Sequence, residues 1–204
     1  MTAIPLAPVP SLRPPARAAL RAHVRSVALP ERSTALTSGR WPDDGDRSGP
    51  LLQAGLLALV DELRRGCPDP GALQRAVGAL TGLGPGLTPT GDDILVALVA
   101  TSGRLSNGSL IGAVAAERLS AAVAALPAGR TTAAAARLLA GAVQGRFPEP
   151  LAAFVAALGD PAVARETIAG LAAQLAAVGA HSGADWLAAT VALASAAAPA
   201  GGLE

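Results

Sequence analysis

From Leu51 onward, apolar residues recur at intervals of three and four, the spacing of helices that each bury one stripe. The segment LLQAGLLALVDELRRG places leucines at 52, 56, 59 and 63. It ends in Arg64, Arg65 and Gly66, cations suited to the negative end of a helix dipole and a glycine suited to a left-handed cap. Asp69 and Pro70 read as the cap and first-turn proline of a helix from Gly71 to Leu80. The same period predicts helices over 92–102, 109–126, 131–145, 149–158, 161–179 and 183–197. Valine and isoleucine do not alternate with polar residues over any long run, so no strand is expected.

Before Leu51 the pattern is weaker. The first fifteen or so residues are proline-rich and read as a loose arm, followed by a short helix over Ala16–Leu29. Ala19, Leu20, Val24 and Val27 form its apolar stripe, with Arg17, Arg21 and Arg25 opposite and His23 expected in solvent. Residues 30–50 hold Pro30, Gly39, Pro42, Asp43, Asp44, Asp46, Gly49 and Pro50, the chemistry of a loop. The reading divides the chain into an arm, short helix and loop over 1–49 and a helical domain over 50–198. The expected fold class is mainly α: a single-domain bundle of many helices in which a Gly/Pro-rich loop opens a central helix.

Composition narrows the chemistry. Lysine and tyrosine are both absent from the 204 residues. Schiff-base catalysis, a lysine-closed phosphate loop and a tyrosine acid are thereby excluded. A net charge of +1 and 2% aromatics argue against nucleic acid, which needs a basic field and stacking platforms. The single cysteine, Cys67, makes neither an internal disulfide nor a multi-cysteine zinc site, and the early prolines interrupt any apolar leader. A cytoplasmic protein without membrane spans is expected. Alanine occupies 50 positions, which lets helix axes approach closely but gives each contact little apolar area. The core then depends on leucines, with Leu56, Leu59, Leu95, Leu98, Leu119, Leu138, Leu171, Leu175 and Leu187 as candidates. Faces of alanine and valine either pack within the chain or meet a homo-oligomer or partner subunit.

The densest chemistry lies in GLGPGLTPTGDD, residues 82–93, running into the apolar ILVALVA. Four glycines and two prolines hold the backbone in a defined loop with amides free to point outward, facing the positive end of the next helix. Such a cradle suits phosphate, but Asp92 and Asp93 at its rim repel an anion unless magnesium or an arginine intervenes. A bound amide or a cationic ligand resolves the conflict equally. In the simpler reading, Thr90 caps the helix, Asp93 completes a capping box and the glycines permit the turn, which leaves Asp92 without a required partner.

Two further segments carry candidates. In GAHSGADWL, Ser182 and Asp185 have capping-box spacing, and His181 sits at a helix start, where the dipole favours a neutral imidazole able to act as a base or ligand. The competing reading makes His181 a surface loop residue. In RTTAAAARLL, Thr131 reads as an N-cap and Arg130 as an alternative cation for the glycine loop. Local spacing does not bring Asp92, Asp93, His181 and Asp185 together, and neither a G-x-S-x-G elbow nor an H-E-x-x-H helix occurs.

GLGPGLTPTGDD with its apolar helix closely resembles the signature of the family that includes the AllH subunit of oxamate carbamoyltransferase. RTTAAAARLLAGAVQGRFPEPL and GAHSGADWL are similar to two later elements of that family, in the same order. The resemblance covers roughly residues 50–197. It implies a subunit of a carbamoyltransferase that moves a carbamoyl group between oxamate and phosphate, with partner subunits and a small-molecule substrate such as carbamoyl phosphate or oxamate. Carried over by position, the implied ligand-binding residues are Gly84, Gly86, Thr88, Thr90, Gly91, Thr131, Thr132, Ser182, Gly183 and Asp185. Asp92, Asp93 and His181 are the catalytic candidates, with Asp92 and Asp93 as magnesium ligands. Thr90 stands where the family's serine is expected, and His181 lies one place from its usual histidine. Two other readings compete: a stand-alone magnesium-dependent hydrolase of a small amide or nucleotide-like substrate, and a non-catalytic scaffold.

Overall fold

The computed structural model describes residues 6–8, 14–39 and 48–198. Pro42, Asp43, Asp44 and Asp46 of the expected loop lie outside the described residues. Ten helices and one pair of strands account for the described chain, so the fold is mainly α.

Near the amino end are β1 (Leu6–Pro8), α1 (Arg17–Ser26) and α2 (Glu31–Ser38). Then follow α3 (Gly49–Arg64), α4 (Pro70–Leu80), α5 (Thr90–Ser106), α6 (Ala113–Ala124) and α7 (Ala133–Val143). The remainder comprises β2 (Arg146–Pro148), α8 (Glu149–Ala157), α9 (Arg165–Ala176) and α10 (Ser182–Ala197). Several predicted boundaries hold with their chemistry. Asp69 accepts the Ala72 amide at 2.6 Å as the cap of α4, and Gly66 follows α3 in the left-handed region at φ 71°.

Three expectations need correction. Residues 6–8 are not loose: β1 pairs antiparallel with β2, Leu6 opposite Pro148 and Pro8 opposite Arg146. Strands of three residues are too short to display an alternation. Glu31–Ser38 is helix rather than loop, with Leu36 and Ala35 buried and Gly39 left-handed at φ 75° behind it. His23 is buried rather than solvated. Its Nε2 bonds the Val163 carbonyl at 3.0 Å, and the Gly159 amide donates to Nδ1 at 3.1 Å. Those bonds require the neutral ring protonated on Nε2, and burial lowers its pKa accordingly.

The core is built around α5 and α10. Every residue of α5 from Thr90 to Ser102 is buried, which is why its sequence is apolar nearly all round rather than striped. It packs along α10, whose Ala188, Ala189 and Ala194 are fully buried and allow a close approach. Thr101 and Thr190 share a hydroxyl hydrogen bond at 3.2 Å inside that contact. Eight of the nine candidate leucines are buried, and Leu171 is half-buried on α9. Both α1 and α2 pack on α10, while β1 and β2 lie against α8. No helix among the described residues is long and apolar enough to cross a membrane.

Candidate functional site

The loop between α4 and α5 is closed by backbone bonds at both ends. Leu83 N–H donates to the Leu80 carbonyl at 3.0 Å, and Gly91 N–H donates to the Leu83 carbonyl at 2.9 Å. Glycine at 91 is obligatory, because a Cβ there would stand 1.9 Å from the Leu80 carbonyl oxygen. Gly84, at φ 106°, lies in a conformation that side chains rarely adopt. Among the described residues, the amides of Gly84, Gly86, Leu87, Thr88 and Thr90 donate to no backbone carbonyl.

Neither expected capping box forms. Pro89, not Thr90, occupies the N-cap of α5, and its carbonyl takes the amides of Asp92 and Asp93 at 2.9 and 3.1 Å. Thr90 is the first residue inside the helix. The same shift occurs at α10, where His181 is the N-cap and Ser182 the first helical residue. At α7 the cap is Thr132 rather than Thr131: its Oγ1 accepts the Ala135 amide at 3.1 Å and donates to the Leu87 carbonyl. Thr131 is thereby released to reach the loop.

Asp92 is fully employed. Both its oxygens accept the Gly82 amide, at 3.3 and 3.2 Å, and Oδ2 accepts the Thr131 hydroxyl at 2.5 Å. It is a strut joining the start of the loop to the start of α7. Burial raises its pKa, opposed by those two donors.

Asp93 is buried and, among the described residues, neither of its oxygens has a hydrogen-bond partner, nor has the Trp186 indole nitrogen. Its pKa is raised to about 8, chiefly by burial and further by the negative charges of Asp185 and Asp92. Ser182 and Trp186 lie close enough to oppose the shift, although neither meets hydrogen-bond geometry. The carboxyl is therefore largely protonated at neutral pH.

Asp185 is equally buried but paired. Arg32 Nε donates to its Oδ1 at 2.8 Å and Nη2 approaches Oδ2 at 3.3 Å, while Nη2 also donates to Thr90 Oγ1 at 2.7 Å. Burial still raises the Asp185 pKa, offset in part by the Arg32 hydrogen bond and charge.

These elements surround a cavity of about 630 Å³. Its wall includes Pro85 to Thr88, Thr90, Arg137 and Leu138 of α7, His181, Ser182, and Leu6 of β1. Thr88 and Ser182 share a hydroxyl hydrogen bond at 2.8 Å across it. Of the predicted residues, Gly86, Thr88, Thr90, His181 and Ser182 line the cavity. Gly84, Gly91, Asp92, Asp93, Thr131, Thr132, Gly183 and Asp185 stand behind that lining and hold it in shape. His181 is exposed at the rim. Arg130 turns away from the loop, donating to the Gly78 carbonyl at 3.0 Å. No group of three or more histidine, cysteine, aspartate or glutamate side chains among the described residues is placed to hold a metal ion.

The family model of oxamate carbamoyltransferase subunit AllH matches residues 80–193, more than half of the chain. The chain belongs to the AllH family. The matched region runs from the end of α4 into α10, so it contains all three segments that build the cavity. No curated protein and no solved structure matches the chain.

Sequence reasoning missed Arg32, Leu6 and the use of Arg137. Arg32 and Leu6 lie outside the segment matched by the AllH model. The helix carrying Arg32 was nonetheless signalled, by Pro30 and Glu31 at its start and Gly39 at its end.

Proposed function

We propose that the chain is a subunit of an oxamate carbamoyltransferase-like assembly whose cavity at the mouths of α5 and α10 holds a small anion. The phosphate of carbamoyl phosphate, or the carboxylate of oxamate, fits its chemistry. One observation carries this reading: Gly86 to Thr88, whose amides donate to no backbone carbonyl among the described residues, and the hydroxyl residues Thr88, Thr90 and Ser182 line one cavity at the first turns of two helices. Helix N-termini and free amides favour negative charge without requiring lysine, which this chain lacks.

In a carbamoyl transfer, the nitrogen of oxamate forms a bond to the carbamoyl carbon as the bond from that carbon to the phosphate oxygen breaks, and the nitrogen gives up a proton. Charge gathers on the departing phosphate. The amides and helix dipoles supply fixed stabilisation for that charge, and exposed Arg137 and His181 sit where they meet it at the rim. The reading uses positioning and electrostatics, with no covalent intermediate. Any magnesium would travel with the phosphate, since Asp92 is committed to Gly82 and Thr131 and the Asp93 carboxyl is sealed.

Titration calorimetry of the purified chain with inorganic phosphate, carbamoyl phosphate and oxamate tests the site. Co-purification with partner subunits followed by a carbamoyl-transfer assay tests the assembly. Saturable binding and activity dependent on partners are expected. Turnover by the chain alone, hydrolysing a small amide, overturns the subunit reading in favour of a stand-alone hydrolase. A chain that binds none of the three anions leaves the loop as scaffold.

A further inference from the structure

Arg32 lies 48 positions upstream of the segment matched by the AllH model, yet it reaches the centre of the site. Its guanidinium forks over Asp185 and extends one arm to Thr90, and its side chain is only 26% exposed. Asp185 and Thr90 belong to the first turns of α10 and α5, so a single cation from α2 ties the two helix mouths together. The groups facing Asp185 are Arg32 from α2, Thr90 and Asp93 from α5, and His181 at the start of its own helix.

We infer that Arg32 is a positioning residue of the anion cavity, cancelling the charge of Asp185 behind its wall and fixing the Thr90 side chain that lines it. The inference rests on the anion-site reading above. Two facts carry it. A buried carboxylate behind a phosphate cavity repels the ligand unless a cation stands beside it, and among the described residues Arg32 is the cation hydrogen-bonded to Asp185. Thr90 Oγ1 accepts from Arg32 and its hydroxyl lies close enough to Asp185 to help hold that carboxyl's pKa down, so Arg32, Asp185 and Thr90 form one linked set, of which Thr90 lines the cavity. A lysine offers a point charge in place of the fork and cannot hold both partners in the same plane.

The test is phosphate affinity, measured by calorimetry with inorganic phosphate on wild type, Arg32→Gln and the double variant Arg32→Gln/Asp185→Asn. Unfolding midpoints of the same preparations confirm that each is folded. Arg32→Gln is expected to weaken phosphate binding about tenfold, and the double variant to return to within about threefold of wild type, because the uncancelled charge is gone. A purely structural role for Arg32 gives no such recovery. If Arg32→Gln does not fold, Arg32→Met and Arg32→Met/Asp185→Asn take its place, since methionine also removes the cation, with the same direction of recovery expected.

Unchanged affinity in Arg32→Gln, or a folded double variant as weak as the single one, overturns the inference while leaving the anion site standing. Absence of phosphate binding by wild type overturns the anion-site reading itself, and the inference falls with it.

Discussion

The openings of α5 and α10 are built to one local plan and differ in charge. Each begins with a hydroxyl residue, then glycine, any residue, and aspartate: Thr90-Gly91-Asp92-Asp93 and Ser182-Gly183-Ala184-Asp185. Each glycine lets the new helix ride against the end of the one before it. A Cβ on Gly91 would meet the Leu80 carbonyl at 1.9 Å, and one on Gly183 would meet the Leu175 carbonyl at 2.0 Å. Each aspartate is buried at 1% exposure. Yet Asp185 has Arg32, while Asp93 has no hydrogen-bond partner among the described residues. The shared part of the plan is steric and the unshared part electrostatic, which separates residues that build the cavity from those that set its charge.

The steric half is the most sensitive to substitution. Gly91→Ala and Gly183→Ala each force a methyl into a backbone carbonyl that cannot swing aside, and each is expected to cost roughly 3–5 kcal/mol of stability. Urea unfolding checks this. A loss below about 1 kcal/mol at either position breaks the parallel between the two helix openings.

Asp92 comes next, at the position the shared pattern leaves open, where α10 has Ala184. Asp92→Ala strands the Gly82 amide and the Thr131 hydroxyl, at an expected cost of about 2–3 kcal/mol. Thr131→Val, which keeps the shape and removes one donor to Asp92, is expected to cost about 1 kcal/mol. Equal losses from both variants argue against Asp92 as the hub of this link.

How much of this was legible beforehand follows the range of each interaction. The helices from α3 onward were readable because an apolar stripe repeats within a few residues, and α5 was readable as central because its stripe widens to the whole surface. The loop was readable because four glycines and two prolines in twelve residues leave the backbone little choice. The caps of α5, α7 and α10 were misassigned by one residue, while Asp69 at α4 was read correctly. Pro89 and His181 hold the cap positions with backbone carbonyls doing the satisfying, and a rule based on hydroxyl side chains points past them. Arg32 was illegible for a stronger reason. Its partners lie 58 and 153 positions away, and no local spacing encodes a contact at that separation. His23 was misread likewise, because its burial depends on Gly159 and Val163.

The electrostatic half is tested through pH. The Asp93 carboxyl titrates near 3.8 in the unfolded chain and near 8 in the folded one. Between those values the folded state keeps a proton that the unfolded state has lost, so this group favours folding most at low pH and progressively less up to about pH 8. Asp93→Asn presents a permanently neutral isostere. Its stability, measured by thermal unfolding from acid to weakly alkaline pH, is expected to lack a component of wild type that falls by at most about 1.4 kcal/mol per pH unit. His23 titrates in both proteins, and Asp92 and Asp185 are coupled to Asp93 by charge, so the difference between the two curves reports Asp93 together with that coupling. Parallel curves would mean that Asp93 is charged in the folded protein and that the contrast with Asp185 is not real.

Arg137 gives the smallest effect and the sharpest division between building and charging the cavity. It lines the cavity from α7, is exposed, and makes no ion pair among the described residues. Arg137→Ala is therefore expected to change stability by less than about 0.5 kcal/mol. Phosphate affinity is expected to fall roughly threefold to fivefold, the scale of a single solvent-screened cation. Raising the salt concentration should shrink that difference, because an exposed charge is screened where the Arg32 fork is largely shielded. If Arg137→Ala lowers stability as much as affinity, Arg137 belongs with the residues that build the wall. The cavity's anion preference would then rest on the helix mouths and Arg32.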